Sequence, residues 1–211
     1  MTRGKKRIKH HVLLVIVTIL LLLTIYSSVP GKDSMYVWSM ATAYTSLVLL
    51  GATLILGPLN VLRKKNNPVS HDLRRDIGIW CGLTGVAHVI FGIQVHMGNM
   101  WLYFFKDVDG LGGFKLRTDL FGAANYVGLI GTLILLMLLF LSNDLSMKIL
   151  GTSRWKKLQL SIYLFFLVIL AHGIMYQIIE KRIVIFIVIF SLLLIIPFIV
   201  QLKGFLAISR K

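Results

Sequence analysis

RWKKLQLSIYLFFLVILAHGIMYQ, residues 154–177, opens with three cations and then runs almost entirely apolar for the length of a membrane span. An α-helix rises 1.5 Å per residue, so about 20 apolar residues cross the hydrocarbon core of a bilayer. Lys and Arg collect on the cytoplasmic side of such spans, which makes Arg154, Lys156 and Lys157 the inner boundary of this one. One residue resists the pattern. His172 lies deep in the segment, and an ionisable side chain at that depth is costly enough to be read first as a functional residue.

Similar runs recur along the chain. Of its 211 residues 57% are hydrophobic and 15% charged, against roughly 25% charged in ordinary soluble domains. The expected fold is an all-α membrane protein, a six-transmembrane-helix bundle with spans near 12–29, 36–59, 77–97, 121–141, 158–179 and 183–202. The first follows the basic stretch MTRGKKRIKHH, but its apolar run is long and YSSVPG lacks a small-residue cleavage pattern. It reads as a retained signal-anchor helix. With the N-terminus inside, 17 Lys and Arg fall on inner segments and six on outer ones, so both termini are expected in the cytoplasm. The domain layout is then a basic tail at 1–11, a membrane domain at 12–202 and a second basic tail at 203–211. No fused nucleotide- or flavin-binding domain is expected.

The net charge of +15 does not point to nucleic acid, because the cations flank the apolar runs, where they meet anionic lipid headgroups. The single cysteine, Cys81, allows no intramolecular disulfide. The outer segment GNMWLYFFKDVDGLGGFKLRTD (98–119) reads as an aromatic belt followed by a Gly-rich loop, with a docking surface for an extracytoplasmic partner as the alternative.

Three histidines fall in the spans: His88 and His96 in the third, His172 in the fifth. Counting from the inner ends, His88 lies about 18 Å deep and His172 about 22 Å deep. Two imidazoles at one height suit an axially six-coordinate heme. Gly78, Gly82, Gly85 and Gly92 form a stripe beside His88 that offers room for a porphyrin. Both features have a plainer reading, small-residue helix packing for the glycines and an interhelical hydrogen bond for the histidines. The residues alone leave these open. His96, near the outer end of its span, reads as interfacial, and His10, His11 and His71 as solvated at headgroup level. No Asp, Glu or second Cys is expected near the paired histidines, which disfavours zinc or copper. The lack of carboxylates in the spans disfavours a proton relay or a transporter.

Four blocks in order carry a family resemblance: GPLNVLRKKNNP (57–68), RRDIGIWCGLTGVAHVIFG (74–92), LFGAANYVGLIGTLILLMLLFLSND (120–144) and RWKKLQLSIYLFFLVILAH (154–172). Over about residues 40–180 the chain resembles the ferric reductase-like transmembrane domain family. Within it, the chain is most similar to the heme-binding membrane subunits of bacterial periplasmic protein-methionine-sulfoxide reductase systems.

The resemblance implies a helix bundle that binds heme b and passes electrons across the bacterial cytoplasmic membrane. The family's third-span heme histidine corresponds to His88 and its outer fifth-span histidine to His172. Its inner fifth-span histidine corresponds to Gln159, which does not ligate heme iron, so one heme is expected rather than two. An outer heme lies about 20 Å from the cytoplasmic face. A membrane quinol, or a flavin (FMN or FAD) between the inner loops, would shorten that gap. Arg74 and Arg75 are candidates to hold such an anionic flavin or to contact a quinone, with a role as positive-inside anchors as the alternative. The expected acceptor is an extracytoplasmic oxidoreductase partner or a ferric chelate. The competing expectation is a cofactor-free membrane anchor or assembly partner of the same fold.

Overall fold

The computed structural model describes residues 3–63, 71–96, 99–108 and 113–209. It is an all-α membrane protein with one small hairpin. The main helices are α1 (Arg3–Ser27), α2 (Ser34–Leu62), α3 (His71–Gly92) and α4 (Leu120–Phe140). Two short helices follow, α5 (Asp144–Leu150) and α6 (Thr152–Gln159), and then α7 (Ser161–Ile179) and α8 (Val184–Ser209). Five segments are long and apolar enough to cross a membrane: 4–27, 34–62, 120–140, 152–179 and 184–209. The expected third span falls on α3, which is not among them. Its first turns carry Asp72, Arg74, Arg75 and Asp76, and it ends at Gly92 rather than at 97. The basic tails expected at 1–11 and 203–211 are mostly helical, continuous with α1 from Arg3 and with α8 to Ser209.

α2 is the central helix, with α1, α3 and α8 packed around it, while α4 packs against α7 and α3. Its buried hydroxyls are satisfied locally, as when Thr42 donates to the Trp38 carbonyl at 2.7 Å and Thr53 to that of Leu49 at 2.8 Å. Lipid supplies no hydrogen bonds, so backbone groups freed inside a helix need partners. Pro58 has no N–H to offer the Leu54 carbonyl four residues back; Gln201 of α8 donates to it instead, at 2.6 Å. The same two helices approach through paired small contacts. A Cβ on Gly204 would lie 2.5 Å from the Pro58 side chain, and one on Gly51 would lie 3.3 Å from that of Pro197.

One end of the bundle is tied by an ionic cluster. Asp76, at 0% exposure, accepts from Arg7 at 2.7 and 3.1 Å and lies 3.1 Å from His10 Nδ1 and 3.4 Å from His11 Nε2. Trp80 Nε1 donates to His11 Nδ1 at 3.2 Å, which leaves the His11 proton on Nε2, facing the carboxylate. His10 and His11 are therefore anchoring residues of α1, not free headgroup-level side chains.

At the other end, a short 3-10 turn (Met100–Tyr103) leads into the antiparallel strands β1 (Phe105–Asp107) and β2 (Phe114–Leu116). Residues 109–112 of the expected Gly-rich turn lie outside the described residues. Asp119 caps α4 by accepting from the Gly122 N–H at 2.9 Å, and it also binds Arg117 and Lys106. These contacts, Arg117 first, hold its carboxyl well below the usual carboxylate range. A depressed folded-state value means the stabilisation is complete above about pH 4 and is lost as pH falls through the folded value. Asp119→Asn should therefore loosen the hairpin at neutral pH and flatten this acid-side dependence, read by amide exchange of β1 and β2 against pH.

Candidate functional site

The histidines expected to face each other do so. His88 of α3 and His172 of α7 have ring centroids 6.4 Å apart, with planes at 75°. Each Nδ1 is held by the backbone of a neighbouring helix: His88 by the Ser39 carbonyl of α2 at 3.0 Å, His172 by the Ala124 carbonyl of α4 at 2.9 Å. A carbonyl only accepts, so each Nδ1 carries the proton and each Nε2 keeps its lone pair. Among the described residues neither Nε2 has a hydrogen-bond partner. This is the tautomer and the outer contact that metal-ligating histidines use.

Both imidazoles line a cavity of about 350 Å³ enclosed by α2, α3, α4, α7 and α8, within the size range of ligand sites. Glycines bring the helices close around it. A Cβ on Gly128 of α4 would lie 2.8 Å from His172 Cε1 and 2.9 Å from its Nδ1, so only glycine leaves the ring where it stands. Gly128→Ala should displace the imidazole from the Ala124 carbonyl. Were His172 to hold a metal, loss of such an outer contact would cost about 10- to 100-fold in its affinity, read by titration with hemin at the Soret band.

The glycine stripe of α3 divides. A Cβ on Gly82 would meet Leu139 at 2.8 Å and one on Gly85 would meet Leu135 at 2.6 Å. These two therefore serve packing against α4, as the small-residue reading holds. Gly85 and Gly92 also border the cavity, whereas Gly78 has open space beside it.

The mouth of the cavity is more polar than the sequence suggested. His96 lies beyond the end of α3, not within a span, and its Nε2 is 2.8 Å from Glu180 Oε1. A carboxylate thus borders the cavity of the paired histidines, contrary to expectation. Tyr176 bridges the two levels: its ring centroid is 4.9 Å from that of His172 and 6.5 Å from that of His96. Tyr176 also donates to Asn125 Oδ1 at 2.9 Å. Tyr103, 3% exposed, closes the mouth from above, donating to the Gly92 carbonyl and accepting from the His96 N–H. The aromatic run of the outer segment is therefore divided in use: Tyr103 and Phe104 border the cavity, while Trp101 is 57% exposed. On the wall, Gln177 Nε2 donates to the Tyr44 hydroxyl at 3.1 Å, while its buried Oε1 has no partner among the described residues.

No protein-family model matches the chain.

Arg74 and Arg75 do not border this cavity. Arg75 Nη1 donates to Asp144 at 2.5 Å, and its Nη2 lies 3.8 Å from Asp72; it ties α3 to α5. Arg74 approaches Gly57 near the C-terminal end of α2. Gln159 closes α6, just before the break at Leu160, and is likewise absent from the cavity wall. Among the described residues no three His, Cys, Asp or Glu side chains gather as a protein-only metal site. The donor set is two imidazoles.

Two imidazoles held through Nδ1, with their ring centroids 6.4 Å apart on one cavity wall, are a donor set that would suit heme. The wall between them is mainly apolar, as a porphyrin requires.

Proposed function

We propose that the chain is a heme b electron-transfer protein of the bacterial cytoplasmic membrane, with His88 and His172 as the axial ligands. The reading is carried by one observation: two imidazoles 6.4 Å apart across a cavity, each oriented through Nδ1 by a backbone carbonyl. The resemblance of residues 40–180 to the ferric reductase-like transmembrane family supports it. Bound there, the heme supplies one-electron redox chemistry. The chain's own residues fix the ligand tautomers, exclude water and set the charge around the site.

In this reading α3 crosses the membrane as a sixth span, because α1 and α5 engage its polar first turns and α2 holds His88. Both termini face the cytoplasm, as the positive-inside bias requires. One heme binds. Electrons arrive from a membrane quinol or a flavin and leave on the extracytoplasmic side to a partner oxidoreductase or a ferric chelate. Arg74 and Arg75 act as inner-face anchors in this scheme, since Arg75 is already held by two carboxylates.

The same hydrogen bonds favour a second reading, a cofactor-free anchor in which His88 and His172 only tie helices together. A purely structural buried histidine gains from bonding through both nitrogens, and these use one each. The experiment is anaerobic mixing of the heme-loaded protein in liposomes with a reduced quinol or reduced FMN, followed by a ferric chelate. Reduced heme bands should grow with a donor and fade with the chelate. A heme that neither donor reduces, or that keeps its electron in the presence of the chelate, would count against the electron-transfer role.

A further inference from the structure

The cavity has one cationic side chain on its wall besides its histidines. Among the described residues, Arg182 is the only Lys or Arg that borders it, in the short connection between α7 and α8. Its Nη1 donates to the Tyr36 hydroxyl and to Met40 Sδ, and its guanidinium lies over the Tyr36 ring, 4.8 Å from the centroid. Tyr36 and Met40 flank Ser39, whose carbonyl orients His88. Arg182 is thus fastened to the turn of α2 that orients a proposed heme ligand, within about 5 Å along the helix axis of the Ser39 anchor.

The backbone is bent to put it there. Lys181 adopts φ +46°, the left-handed region that a residue with a Cβ enters only at a cost. With that bend, its neighbours Glu180 and Arg182 both border the cavity, and Lys181 is itself exposed. Glu180 is engaged by His96 at 2.8 Å and also bears on the Tyr36 hydroxyl that Arg182 bonds, but no carboxylate among the described residues lies within ion-pair distance of the guanidinium. A guanidinium has five N–H donors in a planar fork matched to a carboxylate, and here only Nη1 is used by the protein. An oriented, partly desolvated and unpaired Arg calls for an anion.

Resting on the heme reading above, we propose that Arg182 is the anchor for the carboxylate side arms of the porphyrin, holding them at the Tyr36 end of the cavity. The shared chemistry is a carboxylate, and its source is the macrocycle rather than a free acid. Iron–imidazole bonds alone leave a porphyrin free to rotate about the ligand axis. An ion pair at the mouth fixes one rotation and points the propionates towards the outer surface.

The test uses the full-length protein, purified heme-free in detergent and titrated with hemin or with hemin dimethyl ester, whose side arms carry no charge. The wild type should bind hemin about 10- to 100-fold more tightly than the ester, the range of one charge-assisted bidentate contact. Arg182→Gln should weaken hemin by the same factor and leave the ester unchanged, so that the preference disappears. Arg182→Lys should restore part of it. Equal affinity of the wild type for hemin and ester overturns the proposal without any variant, and is also the result if a free carboxylate is the true occupant. An undiminished preference in Arg182→Gln overturns it too. In either case the heme reading stands, because hemin still binds. Failure of the wild type to bind hemin at all defeats both.

Discussion

His172→Ala protein, purified from the same membranes as the wild type, is expected to carry no heme. Substitutions in the outer contacts of a metal ligand already cost about 10- to 100-fold in affinity, so loss of the ligand itself should cost more than about 100-fold. The fold should persist, because removing the ring deletes only one hydrogen bond to the Ala124 carbonyl and leaves α7 packed on α4. Far-UV dichroism and gel filtration should match the wild type while the Soret band is gone. A ligand role also predicts rescue: free imidazole can enter the space left by the ring and restore a six-coordinate spectrum. His88→Ala should behave alike, since the Ser39 carbonyl it leaves still accepts from the Thr42 hydroxyl at 3.1 Å. A His172→Ala protein with a wild-type heme spectrum would remove the ligand assignment, and heme loss without imidazole rescue would reduce the role to packing.

The second large effect lies at the opposite end of the bundle and concerns stability alone. Asp76→Ala leaves Arg7, His10 and His11 facing a site with no carboxylate. Breaking a buried ion pair from one side typically costs about 3–5 kcal/mol, and the partial exposure of Arg7 reduces this to about 2–4 kcal/mol here. The expected result is a clearly lowered melting temperature in detergent and easier proteolysis at the N-terminal end of α1, with the heme spectrum unchanged. The Arg7→Ala/Asp76→Ala double variant should recover part of the loss, since two members of one ion pair are not additive. An unaltered melt would show that α1 is held by its apolar face instead.

Together these variants separate the two kinds of polar residue buried in this bundle. His172 is costly to bury and makes a single hydrogen bond to a neighbouring helix, a burial that the proposed ligand role would explain. Asp76 is equally costly and is fully engaged by its neighbours, so its presence is explained by the docking of α1.

The sequence carried the membrane class and the pairing of His88 with His172, and the reason is geometric. Helix rise alone places two residues at one depth once the inner ends of their spans are marked by charge. What it did not carry was anything that depends on chain return. Glu180 and Arg182 sit between two spans and read as ordinary loop charges, but the turn at Lys181 brings both to the cavity. The short EKR run between two long apolar segments was the available signal, because a connection that tight leaves its charges little space to reach solvent freely. His96 was misplaced for a related reason: helix α3 stops at Gly92, and the turn that follows redirects the imidazole towards Glu180. In the sequence Asp76 looks like an ordinary charge at the start of a span, because its partners lie nearly 70 residues away. The pairing of Arg75 with Asp144 was hidden by the same separation in sequence. Gln159, by contrast, stands apart from this cavity.

The most direct test of the central claim is heme stoichiometry. The protein is purified in detergent, its optical spectrum recorded air-oxidised and dithionite-reduced, and its heme counted per chain as the pyridine hemochrome. The account predicts one heme b per chain with the sharp reduced bands of a six-coordinate iron. No heme, even after incubation with hemin, would contradict it and leave the paired imidazoles as a helix tie; two per chain would contradict the single site between His88 and His172.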